Sequence, residues 1–184
     1  METKFETIEG KSPGFYLLAG VLGLLILPGL YSTWLMYQHG IGLSGLTNRI
    51  PWGLQIILAV FYIGASAGSL VISSLYGIFG KREYKPFARI AVYLALWFLI
   101  AALLSILTDL GRLGNLQSSF SSFNFLSMLS INPFLYNMYI LICIVYLWAM
   151  LKEKEKLVKV IALVAVIWAV LVHSGTGAIF GFVP

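Results

Sequence analysis

The chain has 184 residues, of which 60% are hydrophobic and 10% are charged. A soluble domain carries about a quarter charged residues, so this composition excludes an ordinary water-soluble globule and predicts a membrane-embedded bundle. The formal net charge of +5 does not indicate nucleic-acid binding, because the basic residues fall in short segments between apolar runs and form no clustered face.

Five apolar runs follow one another along the chain, at residues 14–37, 52–79, 88–110, 133–151 and 158–180. Each reaches the roughly 20 residues that a helix needs to cross the hydrocarbon core of a bilayer. The runs are continuously apolar and do not alternate, which favours helices over barrel strands. The sequence therefore predicts an all-α, polytopic transmembrane helix bundle that forms one integral membrane domain over residues 1–184.

Lysine and arginine are distributed unevenly between the two sides of this predicted bundle. Ten lie in the N-terminal tail and in the connections after the second and fourth runs, whereas only Arg49 and Arg112 lie on the opposite side. The positive-inside rule then predicts a cytoplasmic N-terminus, with segments 38–51 and 111–132 outside. The expected location is the cell membrane of a prokaryote. Because the chain also stops outside, directly after the fifth run, we expect a fragment or a split subunit whose remaining helices lie elsewhere.

Two features within the runs indicate packing. Gly64 and Gly68 are four residues apart in the second run, a spacing that lets helix backbones approach closely and predicts a central position for this helix. Cys143 is the single cysteine and lies inside an apolar run. One thiol cannot hold an iron–sulfur cluster or a structural zinc, so Cys143 is predicted to be a buried packing residue.

The stretch "TNRIPWG", residues 47–53, opens the second run on the predicted outer side. Pro51 is tolerated in a first helical turn, and Trp52 suits the interface, where its ring is buried and its N–H stays wet. Gly53 leaves the backbone open to close approach by a neighbour or a ligand. A plain membrane anchor needs only the tryptophan and the arginine, so this stretch also fits the rim of a binding site.

The third run ends in "TDLGR", which contains Asp109 and Arg112. The spacing of three predicts that both side chains lie on one helical face if the helix continues through Gly111. A carboxylate at the membrane edge is costly, so it pairs with a cation or handles protons. An ion pair that fixes the loop and a proton-handling role both remain open for Asp109.

Two histidines complete the polar set. His39 follows the first run, and His173 is expected roughly 20 Å across the membrane when counted from Lys159 at 1.5 Å per residue. A histidine in a spanning helix indicates a functional site, although a packing histidine is equally common. A haem held by both rings is a poor alternative, because a two-haem cytochrome would need four such ligands.

The polar and titratable residues of the outer half, together with one aromatic wall, are expected to converge at one depth: His39, Asn48, Arg49, Trp52, Gln55, Asp109, Arg112 and His173. An apolar, aromatic cavity with a few hydrogen-bonding and proton-exchanging groups suits a quinone, whose redox chemistry moves two protons with two electrons. A histidine and an aspartate near water can relay those protons. These residues therefore predict a quinone-binding or proton-handling site.

The chain resembles the NrfD-like family of polysulfide reductase membrane subunits. The matching stretches are residues 48–69, 87–112, 132–137 and 173–181, and the resemblance extends over about 14 to 181. Family members have eight to ten spanning helices, so the resemblance implies an N-terminal half. The family's "DLGR" is often followed by proline, where this chain has Leu113.

The resemblance implies a haem-free and metal-free subunit that reacts with menaquinone or another quinone. It also implies two partners on the outer face, a ferredoxin-like iron–sulfur subunit and a catalytic redox subunit, and a second chain could supply the missing helices. His39 and Asp109 would then be headgroup or proton partners, Arg49 and Arg112 ion-pair partners, and His173 part of a proton path. The alternatives are a transporter or channel fragment and a purely structural anchor, so whether the chain itself takes part in catalysis stays open.

Overall fold

The computed structural model describes residues 10–47, 49, 52–111, 124 and 127–182. Five long helices occupy these residues: α1 (Pro13–His39), α2 (Leu54–Gly77), α3 (Lys85–Asp109), α4 (Met128–Leu151) and α5 (Glu155–Phe182). Each of the five is long and apolar enough to cross a membrane. The prediction of five spanning helices is therefore confirmed.

The helix ends follow from local chemistry. Ser12 caps α1 by accepting a hydrogen bond from the N–H of Phe15 at 3.2 Å, and Gly40, with φ +86°, ends the helix after His39. α4 begins at Met128, five residues before the expected start. The expected start would put Pro133 in the first turn, where proline is favoured. Instead α4 has more than one turn before Pro133 and forgoes one backbone hydrogen bond there.

The chain divides into two compact units, Met1–Pro51 and Trp52–Pro184. In the first unit, α1 is followed by a short 3-10 helix, Ile41–Ser44. In the second unit the other four helices form a closed ring, in which α2 and α4 each pack against both α3 and α5. The connections at 78–84 and 152–154 are short, so α2 and α3 are antiparallel, as are α4 and α5.

The interior of the four-helix unit combines small residues with tyrosines. The buried face of α3 is rich in alanine, which lets neighbouring helices approach closely. The buried face of α4 contributes Tyr136, Tyr139, Cys143 and Tyr146, at alternating spacings of three and four. Cys143 is 0% exposed and is a free thiol, so its predicted role as a buried packing residue is confirmed.

Hydrogen bonds between helices satisfy buried polar groups where water is absent. The Ser66 hydroxyl donates to the carbonyl of Ala95 on α3 at 2.9 Å. The Ser73 hydroxyl donates to the Tyr146 hydroxyl at 2.9 Å, which joins α2 to α4 across the ring. These bonds fix the rotation of α2 within the four-helix unit.

The glycine pair of α2 does not mediate the close packing that its spacing predicted. A Cβ added to Gly68 would meet no atom within 4 Å, and one added to Gly64 would meet only the Nε2 atom of His173, at 4.0 Å. The close contact of α2 is at Gly77, where an added Cβ would lie 2.5 Å from both the Ala162 Cβ and the Tyr146 hydroxyl oxygen. The pair lies on a different face of α2 from the buried residues of this unit.

The turn between α4 and α5 is tied to the start of α3. Glu153 adopts φ +53°, a left-handed conformation uncommon for a residue with a side chain. Its carboxylate accepts hydrogen bonds from Arg89 at 2.9 Å and from Lys85 at 3.3 Å. The Arg89 hydrogen bond, followed by that from Lys85 and by the charges of both, lowers the pKa of Glu153 below its ordinary value of 4.5.

Replacing Glu153 by glutamine is expected to lower the thermal unfolding midpoint slightly at neutral pH. Because the folded-state pKa is lowered, the carboxylate stabilises the fold above about pH 4.5, and this stabilisation is lost as the pH falls through the folded-state value. The measurement is the unfolding midpoint of wild type and variant in detergent between pH 7 and pH 3. The two curves should converge in acid, whereas Glu83→Gln, at a residue without an ion pair among the described residues, should show no such convergence.

Candidate functional site

Two candidate residues lie in the first unit, at and after the end of α1. His39 is the last residue of α1 and is exposed, and its Nδ1 lies 3.2 Å from the carbonyl oxygen of Leu35. Arg49 is exposed, and its backbone N–H donates to the Thr47 hydroxyl oxygen at 3.3 Å. Asn48 and Arg112 lie outside the described residues, so their roles stay predictions.

Three further candidates share one end of the four-helix unit. Trp52 and Gln55 lie just before and within the first turn of α2, and Asp109 is the last residue of α3. Because α2 and α3 are antiparallel neighbours, all three lie at the same end of the unit, and each is half-buried. This placement groups a carboxylate, an amide and an indole at the predicted outer surface.

The shared face of Asp109 and Arg112 was conditional on a helix that continues through Gly111, and this condition is not met. The helix ends at Asp109, and Gly111 has φ +68°, a left-handed conformation that glycine adopts without steric cost. The helix therefore ends before Gly111. Arg112 lies outside the described residues, so its pairing with Asp109 stays a prediction.

His173 lies deeper in the unit than the residues at its outer end. Its Nε2 faces Gly64 of α2, where an added Cβ would lie 4.0 Å away. Gly64 follows the start of α2 by ten residues, which places it about 15 Å along the helix at 1.5 Å per residue. The expectation of a single depth for the whole set is therefore wrong for His173.

The imidazole of His173 has a defined orientation. Its Nδ1 lies 3.2 Å from the carbonyl oxygen of Ala169. A carbonyl oxygen only accepts hydrogen bonds, so Nδ1 carries the hydrogen and donates it. In the neutral ring, Nε2 then presents a lone pair towards α2 and can accept a proton from a hydroxyl group.

An apolar cleft of about 200 Å³ lies between α2 and α5 beside this histidine. Ala67, Leu70 and Val71 form the α2 wall, and Val166, Ala169 and Val170 form the α5 wall. His173 and Ser174 come last along α5, towards the outer end, and are the polar side chains of the lining. Such a cleft fits a flat apolar ring that carries a hydroxyl or a carbonyl group.

The wall-forming residues were not foreseen from the sequence, nor was a buried polar group nearby. Asn132 on α4 is 2% exposed, and both its amide atoms lack a hydrogen-bond partner among the described residues. One helical turn further, the hydroxyls of Tyr136 and Thr176 are 2.8 Å apart. A Cβ on Gly175 would collide with the Asn132 amide, so α5 packs closely against α4 at this point.

Metal binding has no support in the described part of the chain. Among those residues, no group of three or more histidine, cysteine, aspartate or glutamate side chains is close enough to hold a metal ion. His173 and Asp109 are side chains that can form hydrogen bonds and exchange protons.

The five apolar helices make this chain an integral, multi-pass membrane protein. The sequence profile of the family described as polysulphide reductase, NrfD, matches residues 42–184, which is most of the chain. The chain belongs to this family, which confirms the resemblance identified from its sequence. No solved structure gives a significant match.

Three curated relatives are similar to the chain. The Hdr-like menaquinol oxidoreductase integral membrane subunit of Archaeoglobus fulgidus is 45% identical over 183 residues, which cover 100% of this chain and 46% of that protein. A selenate reductase subunit of Mesobacillus selenatarsenatis is 25% identical over 89% of this chain and 47% of its own length. A protein of Halobacterium salinarum, named as a dimethyl sulfoxide reductase membrane subunit, is 42% identical over 50% of this chain and 21% of its own length. The chain thus spans about half the length, or less, of the relatives it matches.

Proposed function

We propose that this chain is a haem-free membrane subunit of a respiratory oxidoreductase complex. In this proposal it oxidises or reduces a menaquinone-type quinone and exchanges the electrons with an iron–sulfur partner subunit. That partner connects it to a catalytic redox subunit on the outer face. The observation that carries the proposal is the apolar cleft between α2 and α5, which His173 lines.

The cleft suits the chemistry of a quinol substrate. Oxidation of a quinol to a quinone releases two protons and two electrons, so the site needs a proton acceptor in an apolar setting. His173 supplies that acceptor at Nε2, since Nδ1 donates to Ala169. The valine, leucine and alanine walls would pack against the ring and the first isoprenoid units.

Proton release to the aqueous side requires a group nearer the surface. Asp109 lies at the outer end of α3, at the same end as Trp52 and Gln55. In the proposal Asp109 receives protons that originate at His173 and passes them to water, while Trp52 forms the apolar wall at the rim. His39, Asn48, Arg49 and Arg112 remain proposed contributors to headgroup binding or ion pairing.

The names of the relatives support a shared membrane function with variable partners. One is a menaquinol oxidoreductase subunit, and two are subunits of reductases for different substrates. We therefore assign the terminal substrate to the catalytic partner and the quinol to the membrane subunit. The half-length coverage of these relatives is consistent with further helices that complete the bundle.

The test is to purify the complex from native membranes through a tag on this chain and to identify the co-purified subunits by mass spectrometry. We expect a cysteine-rich iron–sulfur protein and a catalytic redox subunit. Addition of a menaquinol analogue should change the redox state of the iron–sulfur clusters. This change is measured by electron paramagnetic resonance. The purified chain alone should lack a haem absorption band. A preparation without any redox partner, or clusters whose redox state does not change on addition of quinol, would contradict the proposal.

A further inference from the structure

A second cavity lies at the opposite, basic end of the four-helix unit, remote from the proposed quinol cleft. It has a volume of about 380 Å³ and lies between the end of α2, the following turn and the start of α5. These segments are the ends of two predicted membrane spans. The cavity is therefore at the level where lipid headgroups meet the hydrocarbon core.

Three cations line this cavity, against a single acid. Arg82 follows α2, and Lys156 and Lys159 are three residues apart on α5, on one helical face. Among the described residues, no carboxylate forms an ion pair with any of the three. Glu155 is the one acidic residue of the lining, so the cavity carries a net positive charge.

The remaining lining is largely apolar. Ile78, Phe79 and Val158 contribute to the walls, and Phe79 is 68% exposed. An aromatic side chain at this level belongs to the membrane interface. The cavity thus combines a cationic rim with apolar walls, which matches a molecule that has an anionic head and a hydrocarbon tail.

We propose that this cavity binds the phosphate headgroup of an anionic phospholipid. Arg82, Lys156 and Lys159 contact the phosphate, and Phe79 and Val158 contact the first carbons of the chains. Inorganic phosphate is also an anion, but it has no apolar part that could contact the walls, so the proposed occupant is the lipid. The distribution of basic residues along the sequence places this end in the cytoplasm, where anionic lipids attract basic segments.

The test compares two variants that remove the same charge from the same end of the protein. The double variant Lys156→Gln and Lys159→Gln removes two cations of the cavity. The control, Lys81→Gln with Lys152→Gln, removes two lysines that do not line it; Lys81 lies over the Tyr84 ring, at 5.9 Å from its centroid. Binding is measured on the purified, detergent-solubilised full chain by native mass spectrometry during titration with phosphatidylglycerol, with phosphatidylcholine as the zwitterionic comparison.

We expect wild type and the control to prefer phosphatidylglycerol over phosphatidylcholine, and the cavity variant to lose about tenfold or more of its phosphatidylglycerol affinity. Inorganic phosphate at equal concentration should not displace the lipid. An equal loss in both double variants would overturn the site in favour of diffuse surface attraction. Displacement by inorganic phosphate would overturn the lipid as the occupant. Neither readout involves electron transfer, so failure here leaves the proposed quinol function untouched.

Discussion

Replacing His173 by glutamine is expected to lower quinol-dependent turnover of the assembled complex by about two to four orders of magnitude, the usual contribution of a positioned acid–base group. Glutamine places an amide near the position of Nε2 and can hydrogen-bond there, but it cannot take up a proton. The measurement is the rate of menaquinol-analogue oxidation across a pH series, with co-purification of the partner subunits as the check on assembly.

The companion variant His173→Asn separates proton transfer from hydrogen bonding. Asparagine places its amide near the position of Nδ1, where it can still donate to the Ala169 carbonyl, and leaves the Nε2 position empty. If His173 accepts a proton, both variants lose turnover to a similar extent. Retention of wild-type turnover by the glutamine variant alone would show that His173 only hydrogen-bonds the substrate, and unchanged turnover in both would remove it from the site.

Replacing Gly77 by alanine is expected to destabilise the four-helix unit by about 1–3 kcal/mol, the typical cost of overpacking. The new methyl would lie 2.5 Å from the Ala162 Cβ, which is anchored to the α5 backbone, and 2.5 Å from the Tyr146 hydroxyl oxygen. Either α2 and α5 separate, or Tyr146 moves and its hydrogen bond with Ser73 is lost. The measurement is the unfolding midpoint in detergent together with the yield of monodisperse protein.

Gly68→Ala is the matched control, because it makes the same change in the same helix. No atom lies within 4 Å of a Cβ at this position, and alanine has a higher helix propensity than glycine by about 1 kcal/mol. The control should therefore be as stable as wild type or slightly more so. A loss at Gly68 as large as the loss at Gly77 would contradict the packing described for α2.

The number of spanning helices was predictable because the bilayer imposes a minimum length on every apolar run. Which face of each run is buried was much harder to foresee. Lipid and protein interior are both apolar, so hydropathy does not separate them, and the spacing of Gly64 and Gly68 misled for that reason. The helical spacing of the tyrosines is a better indicator of the buried face, since Tyr136, Tyr139 and Tyr146 share the buried face of α4.

The site was predictable in its residue types but not in its geometry. The end of α3 depends on the backbone conformation of Gly111. Because glycine adopts left-handed and right-handed conformations about equally readily, the sequence does not reveal which one occurs at this position. The depth of His173 was counted from Lys159 as the membrane edge. α5 has 28 residues and is therefore about 42 Å long at 1.5 Å per residue, so it exceeds the hydrocarbon core, and counting from one charged residue cannot fix depth.

In the proposed function, the filled centre of the helix ring would determine how a quinol reaches His173. Tyr139 and Tyr146 are fully buried there, and the bond between Ser73 and Tyr146 crosses the ring. Among the described residues no axial passage of the size of a quinol crosses this centre, so the proposed substrate would approach sideways, between α2 and α5. The quinol would then enter from the bilayer, in which it is dissolved among the lipids. Occupancy of the cleft would depend on the mole fraction of quinol among the lipids and not on its molarity in the surrounding water.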